Sequence, residues 1–156
     1  MGPLVSEEQL NRVCGYMESG LKEGAKAIVG GKRHGERGYF VQPAVMVNTR
    51  PNMKVVQEEI FGPIVVAMPF KGVEEAVQQA NDTRYGLAAA IWTRDLGKAH
   101  SIASQLRAGT VWINCYNIVD AALPFGGYKQ SGWGREMGHN VLEHYTEVKA
   151  VCTNLQ

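Results

Sequence analysis

The chain has 156 residues, 45% apolar and 20% charged, the composition of a globular domain with a core and not of a disordered segment. Its 16 Lys and Arg against 15 Asp and Glu leave a formal charge of +1, so the balance predicts neither nucleic acid nor an anionic membrane as partner. The longest apolar run, Ile64 to Phe70, is too short to span a bilayer and is broken by Pro69, and no charged-then-apolar leader opens the chain.

The first predicted element is a helix. Ser6 and Gln9 stand at capping-box spacing, where each side chain can satisfy an amide at the helix start. Leu10, Val13, Met17 and Leu21 then fall on one helical face, and Gly24 stops the helix. A short strand follows at Ala27 to Val29, then a charged, glycine-containing surface loop from Lys32 to Gly38. Tyr39 to Val47 reads as extended chain interrupted by Pro43. Ile64 to Met68 is a continuous apolar, β-branched run, as in a strand buried on both faces.

Val73, Ala76, Val77 and Ala80 share a helical face, Leu87 to Trp92 is a second buried strand, and Asp95 opens a helix. That helix turns Ala99, Ile102, Ala103 and Leu106 inward and ends by Gly109, and Thr110 to Ile113 is a third strand. The order strand, helix, strand, helix, strand with short links predicts an α/β fold with a parallel sheet and flanking helices. Beyond a glycine-rich loop come a short helix near Asn140 to Tyr145 and a last strand, Glu147 to Val151.

Several local patterns fail on chemistry. Gly127-x4-Gly132 begins like a phosphate-binding loop, but Trp133 stands where a lysine is required. Gly132-Trp133-Gly134 begins like a dinucleotide fingerprint, but Met137 replaces the third glycine and a loop, not a strand, precedes it. His139 and His144 are five apart, wrong for a helical zinc site, and no metal site is predicted. Met1-Gly2 with Ser6 fits the myristoylation pattern literally, but the stiff Pro3 and the lack of a polybasic partner signal argue against it. Cys14, Cys115 and Cys152 are widely spaced with no C-x-x-C, which fits a reducing, cytoplasmic setting. Cys115, at a strand's C-terminal end, is the one tempting nucleophile, but no base is tied to it by spacing, and the adopted reading is a half-buried packing cysteine.

Two segments carry a family resemblance. The first is Glu58-Glu59-Ile60-Phe61-Gly62-Pro63. The second runs from Asn114 through Pro124-Phe125-Gly126-Gly127-Tyr128-Lys129-Gln130-Ser131-Gly132 to Gly134-Arg135-Glu136. With Tyr85-Gly86-Leu87-Ala88-Ala89 between them, they resemble the C-terminal part of the NAD(P)-dependent aldehyde dehydrogenase superfamily, over essentially the whole chain. The resemblance implies a partial catalytic domain over residues 1–146, an oligomerisation strand and tail over 147–156, and hence a homo-oligomer.

It also implies NAD or NADP as cofactor and an aldehyde as substrate. A carboxylate is acceptor-only and can take two hydrogen bonds at once, which suits the two hydroxyls of a ribose. By the family pattern Glu59 has that role, Phe61 packs beside the nicotinamide, and Glu58 remains a solvated partner pointing the other way. Asn117, Ile118, Val119, Leu123 and Phe125 lie on a loop that in the family helps wall the aldehyde tunnel. Asn117, Val119 and Phe125 are the predicted pocket residues, and Val119, where many relatives carry an aromatic, predicts a wider tunnel. The glycines of the second motif read as structural turns, and Lys129 and Arg135 as solvated or paired charges. The family's nucleophile, general-base and oxyanion-hole contexts do not occur between Met1 and Gln156, so no catalytic residue is predicted here and the chain alone is expected to be inactive. A rival expectation is a non-catalytic paralogue that docks onto full-length subunits.

Overall fold

The computed structural model describes residues 1–155 and divides them into two compact units, Met1–Gly72 and the residues from Val73 onward.

In the first unit, helix α1 (Glu7–Lys22) starts at Ser6, whose side chain accepts from the Gln9 N–H at 3.1 Å. Only that half of the capping box forms, because the Gln9 side chain donates elsewhere, to the Phe61 carbonyl at 2.6 Å. The helix ends as expected at Gly24, at φ 100°, with Gly24 N–H on Leu21 O and Ala25 N–H on Gly20 O, the paired bonds of a Schellman motif. Leu10, Val13, Tyr16, Met17 and Gly20 are the buried face. Leu21, expected inside, is 44% exposed, because the packed face is rotated toward Tyr16 and Gly20.

Three strands complete the unit: β1 (Lys26–Val29), β2 (Ala44–Val47) and β3 (Ile64–Val66), with the short helix α2 (Lys54–Gln57) between the last two. β2 is central, antiparallel to β1 and parallel to β3. The core gathers Leu10, Val13, Met17, Met46, Met53, Val55 and Ile60. The expectation that Ile64 to Met68 is buried on both faces is corrected. The strand is three residues long, among the described residues only β2 pairs with it, and Val65 is 61% exposed.

In the second unit, helix α3 (Val73–Asn81) leads to β4 (Tyr85–Gly86) and β5 (Ala88–Ile91), helix α4 (Leu96–Gln105) to β6 (Thr110–Ile113), and β7 (Tyr128–Lys129) to a 3-10 turn (His139–Val141) and helix α5 (Leu142–Tyr145). Asp95 caps α4, its Oδ1 accepting from the Lys98 N–H at 2.9 Å. The helix stops at Gln105, earlier than Gly109, where the chain turns extended at Leu106 and the Arg107 N–H passes to the Asn81 side chain at 2.8 Å. β5 and β6 are parallel in register Ala88–Thr110 to Ile91–Ile113, joined by α4, as expected for a strand–helix–strand unit.

The single parallel sheet is corrected to a mixed arrangement. β3 is in the β1–β2–β3 sheet, β5 pairs with β6, and β4 pairs antiparallel with β7. Leu87 and Trp92, expected within a buried strand, are exposed at the two ends of β5. Glu147 to Val151 forms no ladder among the described residues and leaves Val148 and Val151 exposed. No helix among the described residues is long and apolar enough to cross a membrane.

Gly109 tests the close packing of the second unit. A Cβ there would stand 1.6 Å from the Gly126 carbonyl oxygen, a backbone atom that cannot swing away. Gly109→Ala is expected to lower stability by about 3 kcal/mol. Gly15→Ala, in α1 with nothing within 4 Å of the new Cβ, is expected to raise it by about 0.5–1 kcal/mol. Urea midpoints of the two variants check both signs.

Candidate functional site

The segment Glu58–Pro63 leaves α2 with Glu58 extended, at φ −110°, ψ 153°. Glu58 points back to α1, where the Tyr16 hydroxyl donates to its Oε2 at 2.8 Å. The Lys54 ammonium lies 3.9 Å from the same oxygen. Arg12 and Lys54 both stand over the Tyr16 ring, 5.4 and 5.1 Å from its centre. Glu58 is thus a partnered carboxylate, held more closely than the solvated one expected.

Glu59 is fixed through its backbone only. Its carbonyl accepts from an Arg12 guanidinium nitrogen at 2.7 Å, while its carboxylate is exposed with no hydrogen bond or ion pair to any described residue. Ile60 is buried in the core of the first unit. Phe61 follows at φ 56°, a left-handed backbone that a bulky side chain adopts only when its surroundings impose it. The Gln9 amide donates to the Phe61 carbonyl, and the ring itself is 75% exposed. Gly62 lies so close to α1 that a Cβ would stand 2.5 Å from a Val13 methyl. The sequence supplied the two displayed residues, Glu59 and Phe61. It did not supply Gln9, Arg12 and Tyr16, whose helical spacing was visible but whose partners lie far along the chain.

The second unit holds an apolar cleft of about 340 Å³ beside β6, lined by Trp112, Cys115, Ile118, Val119, Leu123 and Phe125 among others. The Trp112 indole N–H donates to the Ile118 carbonyl at 2.8 Å and its ring meets Tyr116 edge-on at 5.2 Å, which fixes the loop after β6. Phe125 is set by paired backbone hydrogen bonds with Glu136 at 2.8 and 2.7 Å. Val119 and Phe125, two of the three predicted pocket residues, therefore meet in one cleft. Asn117 is exposed on the loop at φ 56° and is not part of the lining. Cys115 is half-buried, as read, but it does line the cleft. Lys129 and Arg135 are held by hydrogen bonds to backbone carbonyls, with no ion pair among the described residues. The Lys129 ammonium donates to the carbonyls of Asn81 and Thr83, and Arg135 stands over the Tyr128 ring and donates to Gly127 O. Burial pushes the thiol of Cys14 up, the charge of Glu18 adds to this, and Arg33 opposes it.

The family model for the aldehyde dehydrogenase family matches residues 1–151. The chain belongs to the aldehyde dehydrogenase family. It is 54% identical over 154 residues to an aldehyde dehydrogenase of Agaricus bisporus, covering 99% of this chain and 31% of that protein. It is 53% identical over 150 residues to the mitochondrial aldehyde dehydrogenase of Equus caballus, covering 96% and 30%. The structure of the NAD+ complex of aldehyde dehydrogenase from Bacillus cereus superimposes with a TM-score of 0.96 at 54% identity, covering the whole of this chain and 32% of that one. The chain thus spans about a third of the length of the family members it matches.

The Tyr16–Glu58 bond is open to direct test. Tyr16→Phe keeps the ring between its cations and removes only the hydroxyl. The expected cost is about 1.5 kcal/mol, the low end for a hydrogen bond to a charged group because Glu58 keeps some access to water. A urea midpoint equal to that of the unsubstituted protein would remove Tyr16 from the group that holds this segment.

Proposed function

We propose that these residues are the C-terminal portion of an NAD(P)-dependent aldehyde dehydrogenase, contributing a ribose-binding carboxylate and part of the substrate channel. The observation that carries this reading is the division of labour between adjacent carboxylates. Glu58 is taken up by Tyr16 and Lys54, while Glu59 stands exposed with its acceptor oxygens free on a backbone pinned by Arg12. Its donor set fits a nicotinamide dinucleotide: two carboxylate oxygens for two ribose hydroxyls, with the exposed Phe61 ring two residues on as an apolar surface for the nicotinamide. A relative solved in complex with NAD+ supports the choice of cofactor. When bound, the nicotinamide accepts the hydride of the aldehyde.

The part of this chain is to bind and orient. Glu59 accepts from the ribose, Phe61 limits where the nicotinamide rests, and the cleft of Val119, Leu123 and Phe125 takes the apolar portion of an aldehyde and excludes water from it. On this reading the nucleophile and base lie in polypeptide outside residues 1–156. Glu147 to Val151, alternating charged and apolar, completes a sheet with another subunit.

In the complete enzyme Glu59→Gln is expected to weaken dinucleotide binding roughly tenfold to a hundredfold, the equivalent of about 1.5–3 kcal/mol for one charge-assisted bond. Titration calorimetry with NAD and NADP measures it, and unchanged affinity would remove Glu59 from the site. Residues 1–156 alone serve as the blank, and turnover from them that is lost in Cys115→Ser would overturn the placement of the nucleophile elsewhere. For assembly, deleting the residues from 147 onward is expected to lower the oligomeric state seen by light scattering. An assembly of unchanged mass would show that the tail does not join subunits.

A further inference from the structure

Asn114 is the first residue beyond β6 and stands at φ 56°. Its N–H donates to the Ile91 carbonyl at 2.8 Å, carrying the ladder one residue past the strand. Its side chain then makes a two-point clasp on Thr93. Oδ1 accepts from the Thr93 N–H at 2.9 Å and Nδ2 donates to the Thr93 carbonyl at 2.9 Å. Thr93 passes the constraint on, because its hydroxyl accepts from the Asp95 N–H at 3.1 Å and Asp95 caps α4. One amide therefore ties the end of β6 to the start of α4.

The residue directly after this clasp is Cys115, which lines the apolar cleft, and the loop it opens is gripped again at Ile118 by the Trp112 indole. The loop has two anchors, and the left-handed turn at Asn114 sets the direction in which it departs. Asparagine suits the position on both counts. It tolerates a positive φ better than most residues, and only a primary amide of this length offers one donor and one acceptor to a single backbone unit.

We infer that Asn114 is a positioning residue of the cleft: its clasp on Thr93 sets where Cys115, Ile118 and Val119 stand, and through them how long an apolar aldehyde the cleft accepts. This rests on the proposed reading of the cleft as part of the substrate channel.

The test compares Asn114→Gly, which is at ease at φ 56° and loses only the clasp, with Asn114→Asp, which keeps the acceptor for Thr93 N–H and loses the donor. Both are made in the complete enzyme and assayed with acetaldehyde and octanal. Asn114→Gly is expected to raise KM for octanal about tenfold with kcat retained, to leave acetaldehyde kinetics and dinucleotide affinity unchanged, and to speed maleimide labelling of Cys115 followed by peptide mass spectrometry. Asn114→Asp is expected to fall between that variant and the unsubstituted enzyme. Val119→Trp separates the two ways of failing. If it leaves KM for octanal unmoved, the cleft is not the channel and the inference falls with that reading. If it moves KM while Asn114→Gly changes neither KM nor the labelling of Cys115, the inference alone is overturned.

Discussion

Gly62 lies so close to α1 that a Cβ there would press into the Val13 side chain, and the segment from Glu58 to Gly62 depends on that approach. Because the segment and α1 are so close, the polar residues beside Val13 reach across. Gln9 holds the carbonyl of Phe61, Arg12 that of Glu59, and Tyr16 the carboxylate of Glu58. These residues follow one another along the side of the helix at three- and four-residue steps, so they meet successive parts of an extended chain running past. Ile60 adds an apolar anchor in the core between two polar ones. The backbones of Glu59 and Phe61 are thus held by side chains of α1.

The parts of this arrangement that were legible in the sequence are local. Ser6 and Gly24 mark the ends of α1 through the chemistry of their own turns, and Thr110 to Ile113 is bounded by a glycine and an asparagine that break a strand. The burial of Leu21 was misread for a geometric reason. The packed face of α1 is centred near Val13, and Leu21 lies about 80° round the helix from it, while Tyr16 and Gly20 lie within the face. An apolar stripe shows that a helix has an inside. It does not show its centre when a tyrosine and a glycine belong to it. Gln9 failed as a capping partner because a carbonyl remote in sequence competes for its amide, and spacing carries no trace of that competitor.

The sheets show the same division between element and partner. Alternating strand and helix patterns correctly placed β3, α3, β5, α4 and β6 along the chain. Which strands share a sheet is a separate matter, settled by loop lengths and by strands too irregular to be read singly. β2 sits in extended chain interrupted by Pro43, yet it is the strand on which β3 pairs in parallel and β1 antiparallel. The apolar run at Ile64 to Met68 therefore describes its composition correctly and its surroundings incorrectly. Val119 and Phe125, framed by the family motif, line the cleft, and Asn117 does not. Its left-handed backbone puts it at the bend of the loop, where it reads as a pocket residue in sequence and sits outside the lining in space.

The difference between Glu58 and Glu59 carries the functional reading furthest. Tyr16 and Lys54 take up the first carboxylate, while the second is exposed and makes no hydrogen bond or ion pair with any described residue. Tyr16 hydrogen-bonds the half-buried Glu58 carboxylate and Lys54 lies 3.9 Å from it, which offsets the cost of a charge near the core. Glu59 bears no such cost in water and keeps its full accepting capacity. Its backbone is already ordered by Arg12, and that of Phe61 by Gln9, so the entropy of fixing the two main-chain positions is spent in folding and not in binding. Strain at Phe61 is held in the same way, behind the ring and away from the face that is displayed. The side chains that hold the carbonyls of the pair, Arg12 and Gln9, both belong to α1. A ligand approaching from the other side meets a free carboxylate and a bare aromatic ring without having to displace any of the bonds that hold them.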